Sequence, residues 1–356
     1  MEEKALRLSA VFLMILTAVS FVLLPKLPAL HTWEVEAREE RIAEEEFAQS
    51  QVTMQNLKIK EQNEAAGAKG ELSIRLPEGV TGDQIAVSND YVTQTIRVEI
   101  PQADRTYFDS YPVLGNSDYI DGLSYTRQGE TGVIEVTTNK VYELQTEYDA
   151  QNFYFNFLTP HEVYDKVVVI DAGHGGRAVG ANKQGINEKD IDLAIVLKLK
   201  EIFDNSDQNI GVYYTRTDDS NPTFDQRVQL ANKSDADLFI SIHNNSTRSG
   251  RLSGTSGTQV MYDETSEASR QFAQICLEEV TGRIGSRDKG LVEGDSIYII
   301  RTSEVPVALI EVGFMTNKDE LEKQISMIEK LNSDAYQRET AEGVYQAVLR
   351  AFEEGY

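Results

Sequence analysis

The sequence predicts an α/β domain with a mostly parallel sheet flanked by helices, preceded by a small all-β domain and an N-terminal transmembrane helix. Three observations predict it. From Lys166 to Tyr356, apolar strand-like runs alternate with segments of helical period, the order that builds parallel sheets covered on both faces. From Glu71 to about Thr159, short runs such as ELSIRLP, YVTQTIRVEIP, GVIEVTT and NFYFNFLTP alternate polar with apolar residues between turn residues, which is the pattern of a β-sandwich. Between Arg7 and Lys26 lies an 18-residue stretch without charge, LSAVFLMILTAVSFVLLP, long enough to cross a hydrocarbon core of about 30 Å as a helix. The chain divides accordingly into residues 1–30 as a membrane anchor, 31–70 as a charged stalk or linker, 71–160 as the β domain and 166–356 as the α/β domain.

The N-terminal segment reads as an uncleaved anchor, because no small-x-small cleavage site follows its apolar core and Pro25, Lys26 and Pro28 come next. Lys4 and Arg7 precede it and a glutamate-rich segment follows, which places the bulk of the chain outside the cytoplasm. Residues Glu34 to Gly70 are rich in Glu, Gln, Lys and Ala, with Ile42, Phe47, Met54 and Leu57 scattered rather than striped. They read as a solvated helical or flexible stalk whose use is reach. In the β region, Tyr107, Tyr111, Tyr119, Tyr125, Tyr142 and Tyr148 are read as ordinary strand packing in preference to a sugar-stacking face. In the last region the strands fall at Val167 to Asp171, Gly211 to Thr215, Leu238 to His243, Thr258 to Tyr262, Ile297 to Arg301 and Val307 to Val312. Helices are predicted over Lys189 to Asp204, Phe224 to Lys233, Glu267 to Gly282 and Asp334 to Glu353.

Composition removes several functions. A formal charge of −24 and a pI near 4.6 exclude a nucleic-acid partner, which requires clustered Lys and Arg to displace counterions. Cys276 is the single cysteine, so no intrachain disulfide and no multi-cysteine metal cluster forms. Any metal must be held by histidine and carboxylate.

The chain has four histidines, and two of them close apolar strand-like runs, His174 in VVVIDAGHGG and His243 in LFISIHNN. In open α/β sheets ligands bind at the carboxyl ends of strands. Two carboxylates join them. Glu188 follows His174 by 14 residues at the mouth of a helix, and Glu311 ends the run VPVALIE. Zinc hydrolases hold the metal with three His or carboxylate ligands and keep a fourth position for water, a role that His174, Glu188 and His243 fill. Gly173, Gly175 and Gly176 let the backbone turn sharply around His174. A phosphate loop is the rival for this turn, but no GxGxxG or GxxxxGK[ST] occurs there. Glu311 reads as a general base that moves a proton from water to the leaving amine, against the alternative of a buried carboxylate paired with Arg301.

These motifs resemble those of the zinc-dependent N-acetylmuramoyl-L-alanine amidases of the Amidase_3 family. The resemblance rests on IDAGHGG, Glu188 in NEKD, SIHNN and IEVGFMTN. Support comes from YTRTD at Tyr214 to Asp218, RVQLAN at Arg227 to Asn232, RDKGL at Arg287 to Leu291 and IIR ending in Arg301. It spans essentially Lys166 to Tyr356. It implies an α/β fold, Zn2+ ligands at His174, Glu188 and His243, a catalytic Glu311, and hydrolysis of the amide between N-acetylmuramic acid and L-alanine of peptidoglycan. Arg301 is a second catalytic candidate, stabilising charge or holding a stem carboxylate, with a salt bridge on the sheet rim as an equal alternative. Asn245 and Asp171 are expected to orient the imidazoles. Residues 71–160 loosely resemble the AMIN family of envelope-targeting β domains by pattern and position, which implies an envelope protein partner.

Two departures from the family pattern stand out. Asn244 occupies a position commonly filled by a small residue. The strand at Thr258 begins only 13 positions after Asn245, which leaves no room for the long insertion that blocks the site in some members. The expectation is a site not blocked in that way. Competing functions are a zinc peptidase acting within the stem peptide and a non-catalytic wall-binding protein, the latter opposed by retention of all four site residues.

Overall fold

A strand sandwiched between two helical layers must be apolar on both faces, and Lys166–Ala172 (β1) meets that demand. Val168, Ile170 and Ala172 enter one buried cluster, and Val167 and Val169 enter another on the opposite face. A computed structural model describes residues 27–61, 69–247, 249–317 and 330–356. In it β1 lies in a six-stranded sheet with Ile210–Tyr214 (β2), Leu238–Asn245 (β3), Thr258–Tyr262 (β4), Asp288–Glu293 (β5) and Val307–Phe314 (β6). The order is β2-β1-β3-β6-β4-β5. Strands β2, β1, β3 and β6 are parallel, whereas β4 pairs antiparallel with β6 and β5 runs parallel to β4. The sheet is therefore mixed where the sequence predicts a mostly parallel one.

Leu27–Ser50 forms the first described helix, α1, followed further along the chain by Glu188–Asp204 (α2), Phe224–Lys233 (α3), Glu267–Ile284 (α4), Tyr298–Arg301 (α5) and Asp334–Glu353 (α6). One sheet face is covered by α2, α4 and α6. Their apolar stripes, such as Ile191, Ile195 and Leu199 of α2, pack on Ile240, Ile242 and Ile310. The other face carries α3 and α5, with Val228, Leu230, Ile299 and Ile300 against Phe239, Val307 and Leu309. Along β1, β3 and β6 the odd-numbered residues face this second layer. Asp171, Ser241, His243 and Glu311 continue those odd positions toward the carboxyl ends of the strands, beyond the cover of α3 and α5. Register then aligns them, with Asp171 opposite Ser241 and His243 opposite Glu311.

Residues 55–158 contain two five-stranded sheets. One runs in the order 55–56, 120–128, 131–138, 95–101, 86–90; the other in the order 60–61, 114–115, 72–75, 152–158, 143–148. Alternate residues of Thr95–Pro101 and Asn152–Leu158 are buried, and Ile96, Val98, Ile100, Phe153, Phe155 and Phe157 share one core.

Three expectations are corrected. Ile297 to Arg301 is not a strand: Tyr298–Arg301 is a helical turn, and the edge strand is Asp288–Glu293, whose charged ends are exposed and whose apolar part, Leu291 and Val292, is too short to mark a strand. The glutamate-rich segment after Trp33 is not a solvated stalk, because α1 lies against the α/β region with Ala43 buried and Glu36 and Glu39 largely enclosed. The single-pass membrane reading also falls. Among the described residues no helix is long and apolar enough to cross a membrane, the uncharged stretch before Lys26 lies outside them, and Leu27–Leu30, assigned to the anchor, open the polar helix α1.

Ile240 is fully buried in the central strand. Ile240→Ala is expected to lower unfolding free energy by about 2–5 kcal/mol, measured by urea denaturation.

Candidate metal centre

The turn after β1 sets the site. His174 has φ +57°, in the left-handed region that a non-glycine residue occupies only under restraint, followed by Gly175 and Gly176, also at positive φ. The restraint is two buried guanidinium groups. Arg227 donates from Nη1 to Asp171 Oδ1 (2.6 Å) and the Ala172 carbonyl (2.8 Å), from Nη2 to the His174 carbonyl (2.6 Å), and from Nε to the Pro222 carbonyl (3.0 Å). Arg216 donates to the carbonyls of Ala172 (2.9 Å), Gly173 (2.6 Å), Lys189 (2.9 Å) and Asp218 (3.0 Å). Three successive carbonyls of the turn are thereby satisfied without a strand partner. Asp171 accepts in addition from Thr215 Oγ1 (2.6 Å) and Ser241 Oγ (2.5 Å). Burial alone raises the Asp171 carboxyl, but the Arg227 guanidinium and the two hydroxyls outweigh it and hold it at about 2.

Glu188, the first residue of α2, is the point of convergence. Its Oε1 lies 3.1 Å from His174 Nε2 and 3.2 Å from His243 Nδ1, and accepts from the Asn244 backbone N–H at 3.0 Å. Its Oε2 accepts from the Ala181 N–H at 2.8 Å. The two imidazole rings meet edge to face, centroids 4.8 Å apart. Glycine is required twice for this approach: a Cβ on Gly173 would lie 2.4 Å from His243 Cε1, and one on Gly180 would lie 2.7 Å from both His174 Nε2 and Glu188 Oε2. Burial opposes charge on His174, yet the Glu188 and Glu39 carboxylates outweigh it and raise the ring well above the ordinary histidine value. His174, Glu188, His243 and Asp192 have ligand atoms within 4.8 Å of one another, a group able to hold a metal ion.

Asp192 lies one turn after Glu188 on α2 and is fully buried, with Oδ1 accepting from Asn244 Nδ2 at 2.8 Å. Burial and the Glu188 charge push its carboxyl well up. The only early hint of this was the unusual Asn244, whose side chain serves to fix Asp192. Glu311 lines the same cavity, of about 350 Å³, as His174, Glu188 and His243. Burial, reinforced by the Glu188 charge, pushes Glu311 up to about 8, and its Oε2 accepts no hydrogen bond.

Arg301 is not brought to this cavity. Its Nη1 donates to the Ser296 carbonyl (3.1 Å) and lies 3.7 Å from Glu36 Oε2, and its guanidinium covers the Tyr298 ring. It therefore pairs with neither Glu311 nor a ligand. Asp171 and Asn245 do not orient the imidazoles either, since Asp171 holds Arg227 and Asn245 Oδ1 accepts from the Ser246 N–H. The functions of Arg216, Arg227 and Gly180 had no local signature. For Arg216 and Arg227 the segments YTRTD and RVQLAN were the available pointers.

Removing Arg227 leaves the buried Asp171 carboxylate without its cation and takes the side-chain donor from the His174 and Pro222 carbonyls, so Arg227→Ala is expected to cost about 3–5 kcal/mol of stability by chemical denaturation. Asp171 has a folded value of about 2 against about 3.9 unfolded. Its contribution is fully present above the unfolded value and is lost as pH falls from about 4 through about 2. Asp171→Asn should abolish that part of the stability profile.

The N-acetylmuramoyl-L-alanine amidase family model, Amidase_3, matches residues 168–350. The uncharacterized protein YqiI of Bacillus subtilis (strain 168) is 35% identical over 189 residues, covering 51% of this chain and 83% of that protein. N-acetylmuramoyl-L-alanine amidase CwlM of Bacillus licheniformis is 31% identical over 185 residues, 52% of this chain and 68% of that protein. The crystal structure of N-acetylmuramoyl-L-alanine amidase from Clostridium difficile 630 aligns at 32% identity over 54% of this chain and 98% of that chain, with a TM-score of 0.48. The likeness of residues 71–160 to AMIN domains finds no support in these matches, which fall on the α/β region. On the extent of the family match and on relatives covered over most of their own length, the chain belongs to the N-acetylmuramoyl-L-alanine amidase family.

Proposed function

We propose that this chain hydrolyses the amide between N-acetylmuramic acid and the L-alanine of the peptidoglycan stem, with His174, Glu188 and His243 holding zinc and Glu311 carrying the proton. The observation that supports it most is the convergence of two imidazoles on one carboxylate oxygen of Glu188, beside a second acid, Glu311, that accepts no hydrogen bond at Oε2. This donor set of two nitrogens and one oxygen fits zinc. Asp192 is left out of the ligand set because it does not line the cavity and its Oδ1 is taken by Asn244. Zinc bound there supplies Lewis acidity and lowers the pKa of a water to about 7.

The residues of the chain do the remainder. Glu188 fixes both rings, and Ala181 and Asn244 fix Glu188 through their N–H groups. Glu311 stands on the strand beside His243, in an apolar-walled pocket that raises its proton affinity toward neutrality, the range in which a carboxyl both accepts and releases a proton. It takes the proton of the attacking water and delivers it to the departing alanine nitrogen. We assign residues 166–356 to this chemistry and residues 71–160 to a separate β domain.

Digestion of purified peptidoglycan by the zinc-loaded full chain should release peptides that begin with L-alanine, identified by mass spectrometry, and a chelator should stop it. Glu311→Gln should slow release by about 10²–10⁴-fold with zinc content unchanged. Products cut inside the stem peptide would overturn the assignment.

A further inference from the structure

The turn that carries His174 borders a second, larger space. A groove of about 1200 Å³ lies between one five-stranded sheet of residues 55–158, helix α3 and the chain at the end of α1, and Gly176 is part of its wall. Its floor is built by strand register. Asn56, Ser124, Glu135, Arg97 and Ser88 stand side by side in one row across all five strands, and Thr137, Thr95 and Asp90 stand in the next. Because strand residues alternate, both rows point away from the core that Ile96, Val98 and Val136 fill. Arg97 pairs with Glu135 at 3.6 Å, so the charge in the middle of the floor is neutralised in place. Ser88, Ser124 and Thr137, with Gln229 of α3 in the wall, have no side-chain hydrogen-bond partner among the described residues. Phe47 and Val52 add exposed apolar surface at the end of α1.

The groove is preformed, because the β domain is locked to the α/β domain. Buried Val141 shares one cluster with Val167, Val169 and Tyr213. Its N–H donates to the Lys233 carbonyl (3.0 Å), and Lys233 Nζ donates to Gln94 Oε1 (3.2 Å). Glu143 accepts from Tyr91 of its own domain (2.8 Å) and from Tyr213 of the other (2.7 Å). We propose that the groove binds a glycan strand of peptidoglycan, a chain of uncharged sugar rings, and so holds the wall polymer beside the turn that carries His174. The proposal rests on the peptidoglycan reading given above. Neutral hydroxyl and amide groups match sugar hydroxyls and acetamido groups without leaving a charge desolvated and unpaired, and the Phe47 ring offers a face for a sugar ring. The volume exceeds the roughly 300–1,000 Å³ of a single small-molecule site, which suits an oligomer. Asp90, Asp219 and Asp225 also line the groove and oppose a polyanion.

The test measures co-sedimentation of the zinc-loaded full chain with insoluble peptidoglycan, in a Glu311→Gln background that cuts slowly. Hexameric N-acetylglucosamine and a free stem peptide beginning with L-alanine serve as separate competitors. Ser88→Trp and Thr137→Trp fill the floor, and the double variant Ser124→Ala with Gln229→Ala removes polar groups without adding bulk. Gln145→Trp alters an exposed residue of the other sheet as a control. Expected results are affinity about tenfold or more weaker in the first three than in the unaltered groove and the control, with displacement by the sugar hexamer. With Glu311 restored, KM for peptidoglycan should rise by the same factor in those variants at unchanged kcat, while cleavage of a single disaccharide-peptide unit should stay at the wild-type rate. Absent or equal sedimentation across all variants, or displacement by the stem peptide and not by the hexamer, would overturn the groove and leave the amidase reading standing. Groove-dependent binding with no peptide released from any substrate would overturn the amidase reading alone.

Discussion

The buried pair of Asp171 and Arg227 is the interaction on which the site depends. The backbone must leave β1, turn in a left-handed conformation at His174 and expose three carbonyls to the protein interior. An unpaired buried carbonyl costs about 1–3 kcal/mol, so such a turn is tenable only with donors placed against it. Arg227 and Arg216 supply them, and Asp171 neutralises one of the two charges this brings inside. A buried ion pair of this kind adds little net stability by itself. Its effect is positional, because planar guanidinium groups allow few arrangements of the carbonyls they bind.

The charge balance of the cup follows from that placement. Asp171 has its guanidinium, but Glu188, Asp192 and Glu311 have no Lys or Arg ion pair among the described residues, and they surround two imidazoles. Burial and mutual repulsion raise Asp192 and Glu311, while the imidazoles hold Glu188 low. An uncompensated set of buried acids gains most from a cation, and the convergent nitrogens decide which kind fits. Retaining a raised Glu311 beside a low Glu188 separates the proton carrier from the ligand.

Helix α1 extends the same electrostatics. On a chain of formal charge −24, a helix with so many glutamates would be repelled by most of the surface. It settles on donors: the N–H at the start of α3, the Tyr298 N–H beside Arg301, Arg177, and the His174 ring. Because the attraction is polar and partly exposed, α1 is held more weakly than the folded core. Helix α1 contributes Val35, Glu36 and Glu39 to the wall of the cavity that holds the cup.

What the sequence by itself determined is local. Continuous apolar runs showed β1, β3 and β6 apolar on both faces, and the strand ends placed His174, His243 and Glu311 at one edge of the sheet, since such runs and the alternation of strands with helices are read from neighbours along the chain. The edge strand Asp288–Glu293 escaped because its two apolar residues, Leu291 and Val292, are too few to set a period, and Ile297 to Arg301 misled because a short apolar run is equally a buried helical turn. Arg216 and Arg227 stand out in the sequence only as members of the segments YTRTD and RVQLAN, and Glu36 to Glu46 read as a solvated run, because burial of a charge is decided by a partner far away in sequence. Glu39 and His174 are 135 residues apart, and Asp171 and Arg227 are 56 apart. Only the tertiary structure brings such partners within hydrogen-bond distance, and no periodicity in either segment records the encounter.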